Sequence, residues 1–315
     1  MSRPLKVGVI GCGAAAMALH LPALAALPEF EVTAVTDLAP ERARAAATRF
    51  GARTAPDVTA LAEQADVVAV LTLAHEDLVA AVLDTGTHVV SEKPLSLDPT
   101  LGTQLRARAH HEGLMLRVGA MRAHDPTTTA LLAAVGPGPR TGVLIKLDGA
   151  DTAARAPFQT PTPPPAAALP LYPLSLNRPG QRRAVEILAW EGYHLLTLAV
   201  MATTPPRTAR TCVLDVDRRI VHATFTDAAG QPMTIAIGPG LEGIYLDHAR
   251  LTAARTAAAD FALPYPAAPG RDPHPAFTAL WRDIAHQLTC GEHPVDTLSA
   301  DVETLAADLA ALTTT

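Results

Sequence analysis

Three small residues open the functional case: Gly11, Gly13 and Ala16, spaced Gly-x-Gly-x-x-Ala. They follow the apolar run Leu5–Ile10 and lead into an alanine-rich stretch, the setting of a strand, a tight turn and a helix start. The first glycine permits the turn, the second lets the backbone approach a pyrophosphate, and the alanine lets helix and strand pack closely. The amides of Gly11, Cys12, Gly13, Ala14 and Ala15 would then face the phosphates at the positive end of the helix dipole. Asp37 ends the next strand-like run, twenty-four residues beyond Gly13. A carboxylate there accepts bonds from the adenosine ribose hydroxyls and repels a 2′-phosphate, which favours NAD over NADP.

A second group lies in Glu92-Lys93-Pro94, directly after the strand-like run Thr87–Ser91. Lysine occurs only at positions 6, 93 and 146, against a background of arginine. Ligands of open parallel sheets bind at the carboxyl ends of strands, where Lys93 stands. In a partly dry cleft beside a cationic nicotinamide its pKa would fall, fitting it to exchange a proton with a carbinol oxygen while hydride moves at carbon.

The elements that must position these groups alternate. Strands are expected at 5–10, 30–36, 66–73, 87–91 and 114–120. Helices are expected from Gly13 to near Pro22 and over 40–50, 76–84 and 98–112. This alternation makes a doubly wound parallel sheet. Beyond residue 122 the pattern changes. A strand at 143–148 precedes a proline-crowded loop at 156–179, which holds Tyr172, Asn177 and Arg178 and would border the substrate cleft. One helix over 181–202, alternating segments at 210–217, 219–226, 232–237 and 243–248, and helices at 275–290 and 298–312 follow. The expected division is a Rossmann domain at 1–122 and an α+β domain at 123–315 with an open, mainly antiparallel sheet.

Bulk properties exclude several function classes. The chain has 315 residues, 49% of them hydrophobic, enough for two cores. Net charge is −6 with no basic block, which argues against nucleic acid as partner. The three cysteines form no metal-spaced set and no disulfide framework, so no metal and a reduced cytoplasm are expected. Every apolar run is broken by charge or proline, so no membrane partner is expected. The short apolar stretch before Cys12 reads as a strand rather than a lipoprotein leader.

With the glycine turn, Asp37, His75, Glu92-Lys93-Pro94, "VGAMRAHDP" at Val118–Pro126 and the closing segment from Pro275 in register, the chain resembles the glucose–fructose oxidoreductase and inositol dehydrogenase family, Gfo/Idh/MocA. The resemblance implies a Rossmann domain followed by an α+β domain whose sheet carries substrate and subunit contacts, hence a homo-oligomer. It implies that Thr72, Leu73 and His75 line the nicotinamide side, that Glu92, Lys93 and Pro94 form the floor between cofactor and substrate, and that Arg122 lies near the cofactor.

The chain departs from the family pattern on the first long helix of the second domain. There an Asp commonly precedes a His by four residues, so both share one face. Here His194 is present, but the Asp position is Trp190, and the acidic residue usual three positions after the His is Thr197. His194 is expected to bind a substrate hydroxyl or relay a proton, with Glu191 facing the same groove and Trp190 stacking on a ring at the substrate mouth. Tyr193 and Arg178 complete the expected substrate contacts. The expected activity is NAD(P)-dependent hydride transfer at a hydroxyl or carbonyl carbon of a sugar, cyclitol or related small metabolite. Alternatives are a redox-neutral enzyme retaining NAD, an imine reductase, or a non-catalytic dinucleotide-binding protein.

Overall fold

The computed structural model describes residues 3–135, 142–147, 172–238, 243–246 and 275–313. The first sheet has six parallel strands: β1 (Leu5–Ile10), β2 (Phe30–Thr36), β3 (Arg53–Thr54), β4 (Val67–Val70), β5 (His88–Ser91) and β6 (Leu116–Val118). Their order is β3-β2-β1-β4-β5-β6, so the direction in which successive strands are added reverses between β1 and β4. That reversal opens the crevice in which doubly wound sheets bind dinucleotides.

The central strand β4 is apolar and buried on both faces because helices cover both. In β4, Val67 and Ala69 join one core, with Leu19, Leu24 and Phe30; Val68 and Val70 join the other, with Leu61, Val79 and Leu83. The alternation is the two-residue period of a strand. The helices Pro40–Phe50, Glu76–Asp84 and Pro99–His111 lie close to their expected spans. The short strand β3 and the helices Val58–Ala62 and Pro126–Val135 were not expected; none has a long periodic pattern.

Two expected helices differ. The first runs past Pro22 to Ala25, entered through a π turn at Ala16–His20 in which Leu21 N donates to Ala16 O. Proline lacks an N–H and crowds the carbonyl four residues back, and the wider i→i+5 turn lies immediately before it. The helix expected over 181–202 is broken. Pro179–Glu186 continues into a π turn, Ile187–Glu191, and Tyr193–Met201 leaves at 75°. A Cβ on Gly192 would collide with Ile237 Cδ1 and lie 2.9 Å from Leu188 O, so only glycine fits the corner.

The second sheet has five strands: β7 (Gly142–Leu147), β8 (Thr208–Asp215), β9 (Ile220–Thr226), β10 (Pro232–Gly238) and β11 (Gly243–Leu246). Their order is β11-β7-β10-β9-β8, antiparallel except for the parallel pair β7 and β10. The helices Tyr193–Met201 and Thr297–Ala311 share a core with its Val221, Ala223, Phe225 and Ile235. Of the proline-rich loop expected over 156–179, residues 156–171 lie outside the described residues.

The helix Pro275–Cys290 returns to the first sheet. Its Phe277, Leu280, Trp281 and Ile284 are buried with Val7, Val9, Leu24 and Val90. The core of the first sheet is therefore completed by residues distant in sequence. Helix Thr297–Ala311 is tied to the same half by a buried cluster. Arg106 donates to both oxygens of Glu303, at 3.0 and 2.9 Å, and to Ser299 Oγ at 2.7 Å. Leu95 N donates to Glu303 Oε1 at 2.8 Å.

Candidate active site

At the crevice, Gly11 N donates to Thr36 O at 2.9 Å and the turn passes through Gly11 at φ 92°. A Cβ on Gly11 would meet Thr72 Cγ2 at 2.8 Å and Leu71 O at 2.9 Å. The first glycine is thus demanded by both conformation and space. Gly13 differs: a Cβ there would have nothing within 4 Å. What the second glycine keeps clear is an open cradle at a helix start, as a pyrophosphate requires. Asp37 closes the turn by accepting Cys12 N at 2.7 Å and Ala39 N at 2.8 Å, one on each oxygen. Each carboxylate oxygen retains a further lone pair, so Asp37 can still accept from ribose hydroxyls. Leu38, 79% exposed, and Leu73, 69% exposed, are large apolar residues left open on the loops after β2 and β4. The chemistry present fits a dinucleotide.

The second part begins where β5 ends. Glu92 N donates to Val70 O at 2.9 Å, holding the segment to β4. The Lys93–Pro94 peptide is cis. Lys93 Nζ donates to Trp190 O at 2.7 Å, which joins the β5 edge to the π turn ahead of His194. The turn explains that carbonyl's position. Gly192 N bonds back to Ile187 O at 2.8 Å, while Leu195 N and Leu196 N both turn to Gly192 O at 2.9 Å. Trp190 O thus lies at a helix corner, within reach of a cation.

Glu92 is held from two sides. His20 Nε2 lies 2.9 Å from its Oε1 and Lys93 N donates to its Oε2 at 2.9 Å. Burial disfavours the anion, but the hydrogen bond from His20, reinforced by the charge and backbone amide of Lys93, outweighs it and lowers the carboxyl below the usual carboxylate range. Cys12 is the opposite case: burial first, then the Asp37 charge, pushes its thiol up to about 12. Cys12 is a packing group, not a nucleophile.

The family described as an oxidoreductase family with an NAD-binding Rossmann fold, GFO_IDH_MocA, matches residues 5–120. Residues 5–120 are thus similar to the NAD-binding part of the Gfo/Idh/MocA family. Its relatives include a dTDP-3,4-didehydro-2,6-dideoxy-α-D-glucose 3-reductase of Actinomadura kijaniata, 38% identical over 129 residues, which are 40% of this chain and 39% of the relative. An inositol 2-dehydrogenase/D-chiro-inositol 3-dehydrogenase of Lacticaseibacillus casei is 36% identical over 135 residues, 40% of this chain and 39% of the relative. The aligned stretch thus spans about two fifths of those relatives' length. Across 98% of both chains the fold matches KijD10, a 3-ketoreductase from Actinomadura kijaniata crystallised with NADP and TDP-benzene, at TM-score 0.73 and 21% identity. It also matches UDP-N-acetylglucosamine 3-dehydrogenase GnnA of Acidithiobacillus ferrooxidans at TM-score 0.67 and 19% identity, covering 96% of this chain and 95% of that one.

Some expected site residues fall elsewhere. Tyr193 is fully buried in the core, its hydroxyl pushed up by burial, so the substrate contact expected of it is corrected. Glu191 does not serve His194 through the ion pair it makes. Its Oε1 accepts from Arg219 at 2.6 Å, at the β8–β9 hairpin. Cys12 gives its amide to Asp37, so it shapes the turn rather than meeting a phosphate. His75, 3% exposed, faces Thr72 O at 2.8 Å and Pro94 O at 2.6 Å. It braces the β4 loop against the Lys93–Pro94 segment instead of lining the open crevice. Arg122 is nearly buried and donates to Asp125 at 2.9 Å. Arg178 is exposed where the helix Pro179–Glu186 starts, and its backbone N–H donates to Gln181 Oε1 at 3.2 Å. Thr197 is buried, donating to Tyr193 O at 2.9 Å.

Three residues that sequence reasoning missed are His20, Trp281 and Leu38. His20 and Trp281 are 261 positions apart and Trp281 sits in an ordinary amphipathic helix, so no local signal marks the pair. Leu38 carried a signal: a large apolar residue directly after the Asp at a strand end.

Proposed function

We propose that this protein is an NAD-dependent oxidoreductase acting at a hydroxyl or carbonyl carbon of a sugar or cyclitol. The observation that carries the reading is the 2.7 Å bond from Lys93 Nζ to Trp190 O, which brings the single lysine of the crevice edge to the helix corner preceding His194. When bound, the nicotinamide supplies hydride exchange with the substrate carbon. Lys93 holds the proton that passes to or from the substrate oxygen, a contribution of about 10²–10⁴ in rate for a positioned acid or base. His194 orients a neighbouring substrate hydroxyl, and the Trp190 ring walls the mouth of the site. Gly13, Ala14 and Ala15 hold the pyrophosphate, Asp37 the adenosine ribose, and Thr72, Leu73 and Glu92 border the nicotinamide. The names of the relatives, reductases and dehydrogenases of sugars and inositol, support the substrate class.

The Asp37 carboxylate favours NAD. It would face a 2′-phosphate with like charge, although the structural neighbour KijD10 was crystallised with NADP. We further propose the domain division near residue 122, with the helix Pro275–Cys290 added to the first unit. Association of copies through the open face of the second sheet is supported by Val213 on β8, 56% exposed. A reduced cytosol suits the three free cysteines.

The test is a panel of keto-sugars, nucleotide-linked sugars and inositols with NADH, NAD, NADPH and NADP, followed at the nicotinamide absorbance. Lys93→Ala should retain dinucleotide affinity and lose turnover at least 10²-fold. Unchanged turnover in that variant would remove Lys93 from the chemistry, and absence of dinucleotide binding by calorimetry would end the reading.

A further inference from the structure

The crevice floor is supported by a chain of side chains from two distant parts of the sequence. His20 is completely buried, on the π turn that starts the helix after the glycine turn. The ring of Phe277 lies edge-on to it at 4.8 Å and that of Trp281 at 6.0 Å. Its two polar directions are both taken: Trp281 Nε1 donates to Nδ1 at 3.2 Å, and Nε2 lies 2.9 Å from Glu92 Oε1. An indole N–H is a donor only, so the Nδ1 that receives it bears no proton. The imidazole hydrogen is therefore on Nε2, directed at Glu92. The other Glu92 oxygen accepts the backbone N–H of Lys93 at 2.9 Å, and the Glu92 side chain is 14% exposed. The sequence Trp281, His20, Glu92, Lys93 is continuous, each link a hydrogen bond.

We propose that Trp281 and His20 are positioning residues: the indole fixes the imidazole tautomer, the imidazole fixes the Glu92 carboxylate in one orientation, and that carboxylate sets the backbone from which Lys93 reaches into the site. The inference rests on the proposed role of Lys93 for its kinetic consequence, but the tautomer is a property of the folded chain alone. The arrangement explains why a fully buried histidine stands beside the glycine turn. It also explains why the helix carrying Trp281 returns to a sheet otherwise built from residues before 120. The charged or titratable groups facing Glu92 are His20 and Lys93.

Two measurements on the full chain test this. Uniform ¹⁵N labelling and long-range imidazole spectra, with the His20 signals assigned by their loss in His20→Gln, should show a bare Nδ1 and a protonated Nε2. Trp281→Phe, which keeps an aromatic ring but removes the donor, should move the Nδ1 resonance. A protonated Nδ1 in the parent, or an unmoved resonance in Trp281→Phe, overturns the proposal without reference to turnover. In the kinetic arm, His20→Leu should lower kcat about tenfold, the scale of one lost hydrogen bond to a charged group. It should leave KM for the dinucleotide within about threefold on the same scale. The acid limb of its kcat profile should move up toward the ordinary carboxylate range, about pH 4 to 5. His20→Gln, whose amide still donates to Glu92, should restore most of both. Equal losses in the two variants with an unmoved acid limb would reduce His20 to packing and overturn the positioning role. A parent without any turnover would instead reject the proposed activity, and the tautomer spectra would still decide this inference.

Discussion

Replacing Glu303 by glutamine should reverse the stability ranking of parent and variant as pH rises. Glu303 is 2% exposed, and its carboxyl is pushed up to about 7 from an ordinary 4.5, burial outweighing the charge and hydrogen bond of Arg106. A carboxylate raised in the folded state keeps its proton there after the unfolded chain has released its own. The unfolded state then binds fewer protons, and stability falls as pH climbs from about 4.5 to about 7. The difference between 4.5 and about 7 corresponds to about 3 kcal/mol. Glutamine has the same shape, keeps an oxygen for Leu95 N, and does not titrate. At pH 4.5 the protonated parent and E303Q should differ by about 1 kcal/mol or less, the size of one altered hydrogen bond. By pH 7.5 the balance should have moved about 3 kcal/mol toward the variant. Urea unfolding of both proteins at half-unit pH steps, followed by tryptophan emission, measures it. Every other titrating group is common to the two chains and cancels. Parallel curves across that range would refute the reasoning.

Other predictions follow from single positions. Gly13→Val fills the open cradle, where its Cβ would have nothing within 4 Å, so dinucleotide affinity by calorimetry should fall 10²-fold or more, about 3 kcal/mol, with the unfolding midpoint little changed. Gly192→Ala drives a methyl into Ile237 and Leu188 O; it should cost roughly 1–3 kcal/mol by overpacking and reduce kcat more than dinucleotide affinity, since the Trp190 carbonyl moves with the turn. Glu191→Gln weakens a surface pair with Arg219; stability should change by about 1 kcal/mol or less and kcat should stay within twofold in the turnover assay. A large kcat loss there would return Glu191 to the site.

The parallel sheet and its crevice were legible because their signals are local. The glycine turn, Asp37 and Glu92-Lys93-Pro94 are short, contiguous motifs at strand ends, and strand β4 is apolar on both faces. The second half was less legible. Tyr193 adjoins His194 in sequence, but neighbours on a helix point about 100° apart, and one of them entered the core. The break at Gly192 depends on Ile237 from another strand, so periodicity alone read one straight helix. Glu191 found a cation on a hairpin that no spacing rule links to it. His20 and Trp281 meet only because a late helix packs on an early sheet.

That late helix bears on how this protein can be taken apart or recombined. A fragment ending near residue 122 would leave the footprint of Phe277, Leu280, Trp281 and Ile284 bare and the Nδ1 atom of His20 without its donor. Exchange of the second-sheet part between such chains must therefore be an insertion between two retained segments, not a splice at one junction. The graftable unit is bounded by residues on both sides, and its two ends emerge from the same cofactor-holding body.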